Sequence, residues 1–155
     1  MMKKFLLMIM VMAGLAPFLY AQSPVERLVV KYADVKGAKD LVAKGTKMDL
    51  ARPLIRKTSL APIADNVDEL AVLRLQNASE QDKARFQKEL NAALKSYQYY
   101  GKHDSKNGKV DVYVEVPENG YVRELVVYNP AIYTLNSLHG RFTVKSLLEL
   151  SKEKN

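Results

Sequence analysis

The sequence predicts an α+β domain: a mostly antiparallel sheet of about four to five strands, with helices packed on one of its faces. Three observations carry that prediction. Apolar residues recur at helical spacing through the first half of the chain. In the second half Val110, Val112, Val114 and Val116 alternate with Asp111, Tyr113 and Glu115, the period of a strand. Asn107-Gly108 and Asn119-Gly120 then punctuate that half as hairpin turns do. Helices followed by hairpins, without an internal repeat or a linker, favour segregated helices and strands over alternating βαβ units.

Residues 1–21, MMKKFLLMIMVMAGLAPFLYA, stand apart from the rest. Lys3 and Lys4 precede an uncharged apolar stretch from Phe5 to Tyr20, and the small residue Ala21 leads into polar sequence. Those are the parts of a secretory signal peptide with cleavage after Ala21. Sixteen residues of helix would reach only about 24 Å against a hydrocarbon core of about 30 Å, so the stretch is short for a membrane span. No cysteine follows it, which excludes lipid attachment through an acylated cysteine. Residues 22–155 then form a single domain. They retain 22 basic and 17 acidic residues, a balance of +5, and enough chain for one core without disulfide staples.

Ser23-Pro24-Val25-Glu26 is a helix start, with a capping serine, proline in the first turn and a glutamate at the capping-box position. Val25, Leu28, Val29 and Tyr32 follow as one stripe, and Gly37 is a natural stop. Residues 38–44 read as a short strand. Thr46 to Asp49 opens a second helix, with Met48, Ala51, Leu54 and Ile55 on one face, although Pro53 interrupts it. Glu69–Gln76 reads as a strand buried on much of both faces. Ser79 caps the strongest helix, whose stripe is Phe86, Leu90, Ala93, Leu94 and Tyr97. Tyr99-Tyr100 opens a further short strand, and residues 110–116 and 122–128 form a hairpin. Ile132–His139 is another strand, Gly140 turns the chain, and Thr143 caps a last helix with a solvated tail at 151–155.

The leading helix with Lys31-Tyr32, then Gly37, the strand ELAVLRLQ with the helix after it, the hairpin KVDVYVEVPENGYVRELVVY and Leu138-His139-Gly140 together form a pattern. It resembles that of small exported Bacteroidetes proteins, the domain-of-unknown-function 4252-like group. The resemblance runs over nearly all of residues 22–155 as an order of elements. It implies an envelope protein and supplies no catalytic residues. An acylated cysteine, expected in many members of that group, has no counterpart here.

Chemical motifs are sparse. Without cysteine there is no thiolate metal site, iron–sulfur cluster or cysteine nucleophile. His103 and His139 lie 36 residues apart with no metal-binding spacing, and read as a loop histidine and a partly buried structural one. Asp104, Asn107 and Asp111 surround a glycine but miss the calcium-loop pattern, because Lys106 occupies a ligand position. No nucleophile elbow or phosphate loop is present in the sequence. Asp65, Asp68 and Glu69 read as solvated loop charges. Basic residues are scattered rather than striped, and nucleic acid is not an expected partner.

The tyrosines are the distinctive feature: eight after residue 21, against two phenylalanines and no tryptophan. With the valine row turned to the helices, Tyr113 falls on the other face of the sheet, beside Tyr121 on the partner strand. Tyrosine supplies apolar area and a hydroxyl at low entropic cost, which suits a binding surface. The sequence is therefore read as an exported, periplasmic or extracellular, non-enzymatic protein. It binds another envelope component, a protein or a glycan, through a sheet face bearing Tyr113, Tyr121, Tyr99 and Tyr100. A hydrolase of an envelope polymer, using His139 or unassigned carboxylates, is the first alternative, and a purely structural envelope component the second. No residue is assigned to catalysis, to a cofactor or to a metal.

Overall fold

The computed structural model describes residues 22–115 and 119–152. The signal peptide read at 1–21, Val116 of the valine row, Pro117-Glu118 of the second turn and the tail from 153 lie outside them. In chain order the elements are α1 (Pro24–Tyr32), β1 (Lys39–Lys44), α2 (Thr46–Ile55), a 3-10 turn (Ala61–Asn66), β2 (Val67–Arg74) and α3 (Glu80–Ala93). A second 3-10 turn (Leu94–Ser96) leads to β3 (Tyr97–Ser105), β4 (Gly108–Glu115), β5 (Tyr121–Asn129), β6 (Thr134–Thr143) and α4 (Val144–Lys152). The strands form one antiparallel sheet in the order β1-β2-β6-β5-β4-β3.

The α+β class holds, but two of its details need correction. The sheet has six strands, because Tyr97–Ser105 is a full edge strand rather than a short one. Helices also pack on both faces. Met48 and Ile55 of α2, Ile63 and Ala64 of the 3-10 turn, and Leu147 and Leu150 of α4 pack on one face, against Val110, Val112, Val114, Leu125, Leu138 and Phe142. Val25, Leu28, Val29 and Tyr32 of α1 and Phe86 and Leu90 of α3 pack on the other, against Ala71, Leu73, Val126, Tyr128 and Leu135. The cause is visible in β5, where every residue from Glu124 to Asn129 is buried. A strand covered on one face alternates; a strand covered on both does not.

Capping follows the sequence closely. Ser23 Oγ accepts from the Glu26 N–H at 3.1 Å, and Ser79 Oγ accepts from the Asp82 N–H at 3.1 Å. Thr143 Oγ1 accepts from the Ser146 N–H at 3.0 Å. The α2 helix departs from expectation: Gly45, with φ of 55°, is its first cap position, and Leu54 points to solvent instead of joining Met48 and Ile55. On the α1/α3 face Tyr32 locks the two helices together. Its ring meets Phe86 edge-on at 5.2 Å, and its hydroxyl donates to Glu89 at 2.7 Å. Lys31 reaches the same carboxylate at 2.6 Å.

Gly140 does not turn the chain; β6 runs through it to Thr143. A methyl group at that position would overlap the backbone carbonyl oxygen of Asn66, where the first 3-10 turn crosses the sheet. Glycine is needed there for close backbone approach rather than for a bend. Gly140→Ala should therefore lower stability by about 1–3 kcal/mol in urea unfolding. Leu50→Ala, at a side chain 73% exposed, should change it by no more than about 0.5 kcal/mol.

Candidate functional site

The densest polar chemistry lies inside the domain, beneath the N-terminus of α1. It is built by two β-bulges. Between Val122 and Glu124 of β5 the register against β6 shifts because β6 runs three residues, Phe142 to His139, opposite two of β5, and between Val67 and Glu69 it shifts because Asp68 is an extra residue on β2. Val122 and Val67 face the α2/α4 core. With regular alternation Glu124 and Glu69 would face the same way. The bulges instead turn both toward α1, on either side of β6, where each pairs across strands with His139. Re-aiming a side chain is a common use of a bulge. At the same level Lys44 pairs with Glu69, and Tyr97 with Glu115, so a polar row crosses the sheet from edge to edge.

Glu124 is the hub. It is 1% exposed, in the middle of the sheet. Its Oε2 accepts from Ser137 Oγ at 2.6 Å and from Ser23 Oγ at 2.7 Å, while its Oε1 accepts from Tyr97 Oη at 2.5 Å. Serine, tyrosine and helix cap thus converge on one carboxylate from β6, β3 and the start of α1. His139 Nε2 lies 3.5 Å from Glu124 Oε2 and 3.6 Å from Glu26 Oε1. Both distances are ion-pair contacts, too long for good hydrogen bonds. His139 Nε2 and Glu26 Oε1 are accordingly buried without a hydrogen-bond partner among the described residues.

The three groups are displaced in different directions. Burial raises Glu26 above its ordinary 4.5, and the neighbouring Glu69 and Glu124 add to this against the opposing pull of His139. Burial pushes Glu124 upward too, but His139 and the Ser137 and Tyr97 hydroxyls outweigh it and leave the carboxyl below 4.5. Burial disfavours the His139 imidazolium, yet Glu124, Glu26 and Glu69 together raise it above 6.5. Tyr97 is pushed far up by burial and by the adjacent Glu124 carboxylate, so its hydroxyl stays a donor. Two carboxyls held on opposite sides of their normal value are the signature of an acid–base pair. Here they are enclosed, and a polymer substrate could not touch Glu124 without displacing α1.

The tyrosines expected to form a binding face are split by the register. Tyr99 and Tyr113 are direct cross-strand partners, with ring centroids 5.1 Å apart on the α1/α3 face. Asp111 holds this pair in place: it accepts from Tyr99 Oη at 3.0 Å and pairs with Lys102 at 2.7 Å. Tyr121 is not beside Tyr113. It pairs with Thr143, whereas Tyr113 pairs with Val126, and the Tyr121 ring lies under the Arg141 guanidinium at 4.2 Å. Tyr100 sits against the α2/α4 core on the other face, its hydroxyl buried without a partner among the described residues. The sheet face carrying Tyr113 is not open over its centre, because α1 and α3 cover it; Tyr99, 51% exposed, marks where that cover ends. His103 lies within β3, opposite Val110, rather than in a loop.

Sequence reasoning missed the Glu26–Glu124–His139 cluster. Glu26 was accounted for as a capping-box residue, yet its side chain turns inward. The available signal was Glu124 itself, a charge directly abutting the apolar run Leu125–Tyr128 of a central strand. No family model, curated protein or solved structure matches this chain.

The cluster makes stability depend on pH from both sides. Glu124, depressed in the fold, contributes above 4.5 and loses that contribution as pH falls through its folded pKa. His139, raised in the fold, contributes fully below 6.5 and loses it as pH rises through its folded pKa. Glu26, also raised, adds to the loss on the rising side from 4.5 upward. Urea midpoints measured against pH should peak between about 4.5 and 6.5 and decline above that range. His139→Gln should flatten the alkaline decline. Glu124→Ala, which leaves three hydroxyls without their acceptor and the imidazole without an ion-pair partner, should cost about 3–5 kcal/mol.

Proposed function

We propose that this chain is an exported, non-enzymatic protein of the cell envelope, and that it binds another envelope component through the Tyr99–Tyr113 strip of β3 and β4. The observation that carries the reading is the state of Tyr99. It is a large aromatic ring left half in solvent, yet packed at a tilt against Tyr113 and hydrogen-bonded to Asp111. An aromatic fixed in place loses little entropy when a partner covers it. The adjoining Lys102–Asp111 pair offers polar groups at the rim, the arrangement of a small recognition surface.

The signal-peptide pattern of residues 1–21 and the resemblance to small exported Bacteroidetes proteins support the location. The partner is an envelope protein or a glycan, since both are recognised by aromatic faces with adjacent polar groups. The enclosed carboxylates favour binding over polymer hydrolysis, because Glu26 and Glu124 serve the packing of α1 and present no surface to a chain-like substrate.

The test is crosslinking capture from intact cells, comparing the wild-type chain with a Tyr99→Ser/Tyr113→Ser variant. The wild type should capture a reproducible envelope component, and the variant should lose it while still unfolding in one cooperative transition in urea. Equal capture by a folded variant would remove the strip from the interface.

A further inference from the structure

A second site lies at the far edge of the sheet and is independent of the tyrosine strip. Lys39 of β1 and Arg74 of β2 are direct cross-strand partners. Like charges placed opposite one another in an antiparallel pair are unfavourable, and a ladder normally avoids them. Among the described residues neither cation takes part in an ion pair. The neighbouring Asp40 offers no relief, since alternation puts it on the opposite face of β1, paired with Leu73.

The two cations border a notch of about 80 Å³ completed by Gly37, Gln76 and Asn77. Its lining residues are two cations, a glutamine, an asparagine and a glycine, all exposed, and no carboxylate. The wall is rigidly built. Gly37 has φ of +88°, and a methyl group there would overlap the Asn77 carbonyl, so the turn after α1 is pressed directly on the segment that leads into α3. That segment is itself held by the Ser79 cap. The volume takes several waters, or one small polyatomic ion.

We propose that this notch binds a phosphate-class oxyanion, with Lys39 and Arg74 bridged by its oxygens and the Gln76 and Asn77 side-chain amides donating at its rim. Such a group turns an unfavourable cation pair into two charge-assisted hydrogen-bonding contacts. Arginine suits the role because its planar fork matches a tetrahedral oxyanion, while lysine supplies a movable point charge. The phosphate can be free or can belong to a lipid headgroup, and the chemistry in the notch is the same.

The protein recovered from cells expressing the full chain, labelled with nitrogen-15, should be titrated with inorganic phosphate at ionic strength held constant with chloride. Saturable shifts are expected at Gly37, Gln76 and Asn77, with an affinity in the millimolar range. A Lys39→Gln/Arg74→Gln variant should weaken it at least about ten-fold while the rest of its spectrum stays unchanged. Vesicles of phosphatidylcholine with and without phosphatidylglycerol identify the source. Retention on the anionic vesicles that the double variant loses assigns a headgroup; phosphate saturation without such retention assigns a free phosphate. Shifts that chloride reproduces, that never saturate, or that survive the double substitution overturn the proposal. Loss of the tyrosine-dependent capture leaves this titration untouched, so the two readings fail separately.

Discussion

The enclosure of His139 among Glu26, Glu69 and Glu124 is the constraint on which the arrangement of the domain depends. A half-buried imidazole and buried carboxylates are expensive to desolvate, and only close partners offset the cost. The partners come from every direction: Ser137 on the same strand as His139, Tyr97 from the edge strand, Ser23 from the cap of α1. The raised Glu26 favours its neutral form, while the lowered Glu124 favours the carboxylate that faces His139. The geometry then fixes more than itself. A one-residue slip of β5 against β6 would send Glu124 into the α2/α4 core, where only apolar side chains await it, so the two bulges and the register are specified together.

The same constraint fixes the helix layers. Because Ser23 and Glu26 both reach the cluster, α1 has to lie with its N-terminus over β5 and β6. Tyr32 at its other end then reaches Glu89 and Phe86 of α3. One end of the helix is fastened by buried polar groups and the other by an aromatic contact with a charged rim. The central strands are therefore filled on both faces, and sheet surface remains only toward the outer strands. Those strands also carry the unpaired backbone edges. β1 is short and studded with Lys39, Asp40 and Lys44, while β3 carries Lys102 and Asp104 and is bent by a bulge between Tyr99 and Gly101. Charge and bulges of this kind discourage edge-to-edge pairing.

Much of this was legible in the sequence, and the reasons are local. Caps at Ser23, Ser79 and Thr143, the Asn107-Gly108 turn and the valine alternation are short-range chemistry, and each lies where it was read. What was not legible depends on strands distant in sequence. Gly140 reads as a turn until the Asn66 carbonyl is seen pressed against it. Tyr113 and Tyr121 read as neighbours until the register places Val126 and Thr143 opposite them. The run from Leu125 to Tyr128 carries a hint of cover on both faces, since four successive large apolar or aromatic residues leave no polar side. The bulges at Val122/Glu124 and Val67/Glu69 leave no mark on a one-dimensional pattern. They turn Glu124 and Glu69 to the face that contains His139, so the cluster is a property of pairing and not of any single segment.

The two surfaces left outside the filled centre differ in chemistry because they differ in what supports them. Tyr99 and Tyr113 rest on the margin of the α1/α3 core, so aromatic area is already half-buried there, and a partner need only finish the burial. Lys39 and Arg74 lie at the opposite edge, beside the close approach of Gly37 to the Asn77 backbone. The lining carries two cations and no carboxylate, and what it lacks is negative charge. An aromatic strip and a cation notch on opposite margins of one sheet suit a ligand in different ways. The first contributes contact area that is largely insensitive to salt, and the second an attraction that screening weakens. The salt dependence of whatever binds this domain therefore reports which margin it occupies.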